Sequence, residues 1–473
     1  MQIKIKSILK DSLLFNIVGI ITKVTMALSM IYAAKVLGPK DYGAYGLVLL
    51  WIQYIGLVKP GFVSQVTREI AVLQSNGKDF LKQQNVAISG ELIFIIIPFL
   101  ILIFSSFFYE NVIIRNSIII LSIVIIISRI NEIWSSINLV KKKFNKVATG
   151  RFIAGLIGPL LILLFIKKLG VYMLVIYSGV AALFSFIFYS LYSPINFKFT
   201  LNKDLLSKFI RDGFILQLLT ISFYVYRLTD RTIISYYFSL EDLGLFTFAA
   251  NLALFLKNFV GEFHTVLQPI AWGEIGKNSK NTYSSLLKTT YFIALTSLVF
   301  IPISQFIFYL ITSLYLTQYI DATSVFNFLS FSTYFIAVGG TVGIILNSNT
   351  IKRYKLSLWY SCIGIFLNLI FDYLLIINGF GIIQIAIVTL IVQAFISLIQ
   401  FIHVRKYFFK SQKQLYLFYF NILFPFLILV LFQFILNENL IISSLSDGVL
   451  IALFPLLIIF LTKNKLIEYF GEK

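Results

Sequence analysis

From Leu13 to Val36 the chain runs apolar for the length of a bilayer crossing, turns within a few residues and runs apolar again, and the pattern recurs towards the C-terminus. A run of about 20 apolar residues spans a hydrocarbon core as a helix. Backbone in lipid must satisfy its own polar groups, so such a chain is confined to a bundle of membrane helices or to none. The composition agrees: 59% of residues are hydrophobic and 12% charged, against about 25% charged in soluble domains. After the first run, spans fall near 42–66, 84–108, 111–139, 149–167 and 171–192, then 212–238, 243–272, 286–314, 322–347, 355–378 and 381–403, and finally 415–436 and 445–462. The expectation is an all-α polytopic membrane protein of about fourteen transmembrane helices.

The first turn, VLGPKDYGAY at Val36 to Tyr45, returns later as SLEDLGLF at Ser239 to Phe246. A shift of 201 lays Asp41, Gly43 and Tyr45 on Asp242, Gly244 and Phe246. An acid at a helix N-terminus takes up free N–H groups and complements the dipole, and a glycine lets helices approach closely. Chance similarity is the competing account of so short a match. Read as a duplication, it divides the chain into an N-terminal lobe 1–192, a linker 193–211, a C-terminal lobe 212–404 and two appended helices with a tail, 405–473. Both copies then begin on the same side, and the expected symmetry axis lies along the membrane normal.

Loop charge sets the orientation. Lys and Arg gather in the N-terminal head, the even-numbered loops and the tail, while the opposite loops hold Lys35, Lys40, Arg115, Lys167 and Lys168. Basic loops stay inside, so both termini are expected in the cytoplasm. This absorbs much of the formal +19 charge without nucleic acid. The run Lys141, Lys142, Lys143 and Lys146 is then a topology signal or, alternatively, a phosphate site. Outer loops of about ten residues or fewer leave no room for the domain that a glycan polymerase or transferase needs. Gly339, Gly340 and Gly343 lack the Gly-Lys-Ser/Thr of a phosphate loop and sit in an apolar run. Cys362, His264 and His403 lie far apart, which gives neither a disulfide framework nor a metal cluster.

Three stretches carry a family resemblance: KVLGPKDYGAYGLVLLWIQYIGLVKPGFVSQVTREI, DRTIISYYFSLEDLGLFTFAANLALFL and FLNLIFDYLLIINGFGIIQIAIVT. The chain resembles the bacterial polysaccharide flippases, the oligosaccharide-lipid transporters of the multidrug/oligosaccharidyl-lipid/polysaccharide exporter superfamily. Two positions depart from the family pattern, Asp372 where asparagine is usual and Gln384 among the small residues after the turn. The resemblance implies two six-helix lobes around a lumen, alternating access, and no cofactor. It also implies a location in the bacterial inner membrane and a substrate, an undecaprenyl-pyrophosphate-linked oligosaccharide moved from the cytoplasmic to the outer leaflet. Expected partners are that glycan, membrane lipids and a glycan polymerase.

Charges at bilayer depth are costly and mark sites or structural pairs. Arg129 with Glu132, and Arg227 with Asp230, stand at i, i+3 and can pair locally. Arg231 shares the Arg227 face, and Lys23, Lys59 and Lys257 have no partner at helical spacing. Arg227, Arg231, Lys23, Lys59 and Lys257 are therefore the candidate pyrophosphate ligands, although Lys59 and Lys257 also suit snorkelling to the headgroups. Asp230, Glu262 and Asp372 are candidates for ion coupling, or for carboxylates that hydrogen-bond between helices; Glu91 is a similar buried acid. Tyr224, Tyr226 and Trp134 could face a sugar, whereas Tyr236, Tyr237 and Trp272 suit an interfacial belt. A drug/cation antiporter would show the same architecture with a lumen richer in acids. A lipid-linked peptidoglycan precursor flippase would show a similar charged lumen.

Overall fold

The computed structural model describes residues 5–59, 66–67, 69–70, 73–74, 79–141, 143–257, 280–346, 353–409 and 412–436. Two compact units emerge, Met1–Tyr224 and Val225–Lys473. Among the described residues nine stretches are long and apolar enough to cross a membrane, and no strand occurs. The expected span 445–462 and Glu262, Trp272 and His264 lie outside the described residues.

In the first unit, α1 runs over Ile5–Leu57 and is broken at Gly38, whose φ of 74° and ψ of 169° are not helical. That backbone geometry is nearly exclusive to glycine. Pro39 follows, where its fixed φ and missing N–H suit the first turn of a new helix. Helices α2 (Leu81–Phe94), α3 (Ile96–Ser106), α4 (Val112–Val140), α5 (Phe144–Leu169) and α6 (Met173–Tyr192) complete the unit. Asn111 caps α4, its side chain accepting from the N–H groups of Ile113 and Ile114 at 2.9 and 3.3 Å. α5 packs on both α1 and α6, and α4 on α6.

The extended segment after α6 is fastened to this unit by polar contacts. Gln84 donates to the carbonyl of Asn196 at 2.9 Å, the N–H of Thr200 donates to Ser89 at 2.9 Å, and Ser193 donates to Asn138 at 2.7 Å. Ile195 packs with Ile88, Ile133 and Ile137. Helix α7, Lys203–Tyr237, starts inside the stretch read from sequence as a linker. Its early residue Phe209 is fully buried with Val66, Ile70, Val86 and Ala87.

The second unit holds the end of α7, a helix over 240–257 (α8) and α9 (Lys280–Leu310), α10 (Ala322–Leu346), α11 (Tyr354–Ile377), α12 (Ile382–Phe408) and α13 (Gln412–Leu436). At the start of α8, Asp242 accepts from the Ser239 hydroxyl at 2.6 Å, and the Asp242 N–H donates back to that hydroxyl at 3.1 Å. Reciprocal capping of this kind opens the helix without a Gly-Pro break. α12 lies against both α10 and α11. Gln384 accepts from the N–H of Gly381 at 3.1 Å and so caps α12, which gives this departure from the family pattern a local purpose. α13 is docked by a buried polar chain in which Gln433 donates to Gln305 at 2.7 Å and Gln305 to Ser330 at 2.8 Å. Tyr334 stacks on Phe426 and donates to the carbonyl of Ile422.

Candidate ligand site

The last turns of α7 place Tyr226, Arg227, Asp230 and Arg231 on one face, since residues four apart on a helix are neighbours. All four line a cavity of about 100 Å³ inside the second unit, with Lys257 of α8, Asn368 of α11, and Thr389 and Gln393 of α12. Asp230 and Arg231 are buried. Asp230 is held by neutral donors from two other helices: Asn368 Nδ2 donates to one carboxylate oxygen at 3.1 Å and Thr389 Oγ1 to the other at 2.7 Å. Arg231 donates to Asn251 Oδ1 of α8 at 3.0 Å. Tyr226 donates to Gln393 Oε1 at 3.0 Å, and its ring is admitted by Gly364, where a Cβ would stand 2.7 Å from it.

Asp372 lies one helical turn beyond Asn368 on α11, fully buried and within electrostatic reach of Asp230. Both its carboxylate oxygens, and the Asn368 amide oxygen, lack a hydrogen-bond partner among the described residues. Buried oxygens without donors carry a full desolvation cost, so a carboxylate retained in such a place needs a reason. Two carboxylates, an amide oxygen and a hydroxyl form a hard oxygen set. Among the described residues no group of three or more His, Cys, Asp or Glu occurs. With two acids at most, the set suits a monovalent cation or a proton better than a divalent ion, for which more carboxylate charge is usual.

The first unit contains a second cluster. Arg129, on α4, sends its guanidinium to the end of α1, donating to the carbonyls of Ile55 and Gly56 at 3.1 and 3.0 Å. Gln217 adds a bond to the Leu57 carbonyl at 2.9 Å. These satisfy carbonyls that a helix terminus leaves open. The α1 helix ends here, at Leu57, short of the 66 expected from hydropathy. Lys59, which has no partner at helical spacing, finds one through the fold: its ammonium lies 2.5 and 2.8 Å from the two Glu132 oxygens, and Arg129 lies 3.6 Å from Glu132.

The remaining sequence candidates are scattered. Lys23 is half-buried on α1 and Tyr224 is exposed on α7. Trp134 meets Phe186 edge-on at 5.3 Å and packs on the isoleucine cluster around Ile133. Glu91 is buried, while Tyr236 and Tyr237 are exposed and meet edge-on. Just after α4, Lys141 lies over the Phe80 ring, and Lys146 in the first turn of α5 lies over that of Tyr192. Burial, then the neighbouring Lys143, holds the Lys141 ammonium below the ordinary lysine range. Asn251, Asn368, Thr389 and Gln393 were not among the sequence candidates. The signal that could have found three of them was polar spacing in apolar helices, Asn368 with the candidate Asp372 and Thr389 with Gln393, each four apart.

Similarity to known proteins gives first the class of fold. The structure is similar to that of the "Lipid II flippase MurJ, inward closed conformation", with a TM-score of 0.71 and 16% identity over 96% of this chain and 99% of that one. It is also similar to the "Inward-facing conformation of a multidrug resistance MATE family transporter of the MOP superfamily", with a TM-score of 0.67 and 15% identity over 81% and 94% of the two chains. A MOP superfamily transporter from Pyrococcus furiosus, described as having a binding pocket of reverse polarity, matches with a TM-score of 0.56 and 16% identity over 81% and 95%. At these identities the likeness establishes the fold, that of the multi-pass MOP transporters. The family follows from the sequence: residues 32–324, more than half of the chain, match the model of the polysaccharide biosynthesis protein family, and the chain belongs to that family. No curated protein sequence matches it.

Proposed function

We propose that the protein is a flippase that moves an undecaprenyl-pyrophosphate-linked oligosaccharide from the cytoplasmic to the outer leaflet of the bacterial inner membrane by alternating access. The observation that carries this reading is the convergence of Arg227, Arg231 and Lys257 on one cavity of the second unit. A diphosphate costs far more to strip of water than sugars do, so a translocation path must offer cations in the water's place. Arginine keeps its charge in a dry site and grips phosphate oxygens with a planar fork. A cavity of about 100 Å³ takes a phosphate-sized group and leaves the glycan outside it. Turnover draws on an ion gradient or the membrane potential, with Asp230 and Asp372 as the ion-carrying groups.

The test is glycan export in cells. Arg227→Ala, present at normal level, should abolish export and Arg227→Lys should retain part of it. Normal export by Arg227→Ala would move the anion site to Lys23 and Lys59. A lipid-linked peptidoglycan precursor is the second reading, favoured by a likeness to the lipid II flippase that extends over 96% of the chain. Supplying each lipid-linked substrate separately to proteoliposomes distinguishes the two.

A further inference from the structure

Tyr226, Gly364 and Gln393 stand one helical turn from Asp230, Asn368 and Thr389, four residues back along α7 and α11 and four residues on along α12. The opposite step on α12 is what two antiparallel helices joined by a short turn require. In this second layer the Tyr226 ring fits because residue 364 is a glycine, and the Tyr226 hydroxyl donates to Gln393 Oε1 at 3.0 Å. A phenol has a single proton to donate. Giving it to the amide oxygen fixes the orientation of the amide and turns Nε2, with its two protons, away from Tyr226. Gln393 itself lines the cavity that Arg227, Arg231 and Lys257 also line. Other neutral groups of that lining already have acceptors. Ser332 donates to the carbonyl of Leu329 and Thr333 to that of Ser330, both at 2.6 Å, while Thr389 and Asn368 donate to Asp230 at 2.7 and 3.1 Å. Gln393 differs, for among the described residues nothing accepts from its Nε2. An open donor in the wall of a small cavity is completed by a ligand's acceptor oxygen.

Resting on the flippase reading, we infer that Gln393 is a neutral ligand of the substrate's phosphate, its Nε2 donating to a phosphate oxygen, and that Tyr226 is the positioning residue that turns the amide to do so. The two ends of an amide are nearly equal in size and opposite in polarity. With Oε1 facing the cavity the residue would repel an anion, and the hydrogen bond from Tyr226 selects the other orientation. Tyr226 thus acts through Gln393, in place of the sugar contact expected of it from sequence. A neutral donor also suits a wall that already bears three cations. It adds direction to the grip on phosphate without a further buried charge, whose desolvation would be costly, and without holding the anion so strongly that release is impeded.

Calorimetric titration of inorganic pyrophosphate into the purified full-length protein, at one pH and salt concentration, tests both roles. Gln393→Met keeps the length of the side chain without its donors and should weaken pyrophosphate by about tenfold, the usual loss for a hydrogen bond to a charged group. Gln393→Glu still accepts from Tyr226 but places a like charge in the cavity, and should weaken it further. Tyr226→Phe keeps the ring and removes the proton, for a loss of about threefold. In the Gln393→Met background the same change should cost nothing, because its effect runs through the amide; a Tyr226 that touched the anion itself would weaken binding equally in both backgrounds. Thermal unfolding checks that each variant is folded, and Gln393→Glu, with its Tyr226 contact intact, carries the test should Gln393→Met not fold. Wild-type affinity in either folded Gln393 variant, with binding still lost in Arg227→Ala, overturns the assignment of Gln393 and leaves the cationic site standing. Additive losses from Tyr226→Phe and Gln393→Met overturn the positioning role of Tyr226. Failure of the unaltered protein to bind pyrophosphate removes the anion site and this inference together.

Discussion

An arginine followed three residues later by an acid occurs in both units, Arg129 with Glu132 and Arg227 with Asp230, and the two pairs are put to opposite uses. In the first unit the arginine is buried and the acid is 47% exposed; the guanidinium serves backbone carbonyls, and Glu132 is occupied by Lys59. In the second the acid is buried and accepts from Asn368 and Thr389, with the arginines facing a cavity. Spacing along a helix shows which charges can meet. Whether they hold a helix end together or wait for a ligand depends on what the neighbouring helices supply. Arg129 serves structure, whereas Arg227 and Arg231 line a cavity beside Asp230.

The largest effect that would test this contrast is on stability. Arg129→Ala leaves the carbonyls of Ile55 and Gly56 without their charged donor, and losses of buried charge-assisted bonds run to about 3 kcal/mol. Thermal unfolding in detergent should drop accordingly, with less protein in the membrane. Arg227→Ala should unfold close to wild type although export is lost. Equal destabilisation by the two substitutions would erase the distinction between them.

A smaller effect of opposite sign is expected at Asp372. Its carboxylate has both oxygens without hydrogen-bond partners among the described residues, so replacing it with an isosteric amide removes a buried charge. Asp372→Asn should stabilise the protein by roughly 1–2 kcal/mol in buffer free of the coupling ion, while gradient-driven transport in proteoliposomes falls. A clear loss of stability instead would mean that the carboxylate has a structural partner.

Much of the frame was readable beforehand because it follows from local chemistry. Apolar length marks the helices, Gly38 with Pro39 and Ser239 with Asp242 mark the turns, and helical spacing puts Arg227, Asp230 and Arg231 on one face. Partners across the fold were not readable. Asn368 and Thr389 meet Asp230 over separations of 138 and 159 residues, and neutral polar side chains stand out less than charges in a helix. Lys59 has no partner at helical spacing for the same reason, its acid being 73 residues away. Hydropathy also could not see the end of α1 at Leu57, because that end is fixed by side chains from Arg129 and Gln217 and not by a change in apolarity.

The smallest effect concerns the ion pair of the first unit between Lys59 and Glu132. Lys59 and Glu132 have short contacts, yet their side chains are 30% and 47% exposed. Exposed pairs contribute about 0.2–1 kcal/mol because solvent and salt screen them and two long side chains must be held still. A double-mutant cycle with Lys59→Met and Glu132→Gln should therefore give a coupling near 0.5 kcal/mol, weakening as salt is raised. Arg129 would retain its carbonyls in both variants, so export should survive. If the coupling instead exceeded about 2 kcal/mol and ignored salt, the pair would be acting in a dry environment. Lys59 would then return to the list of cations available to an anionic substrate, and the contrast between a structural cluster in the first unit and a binding cluster in the second would narrow to Arg129 alone.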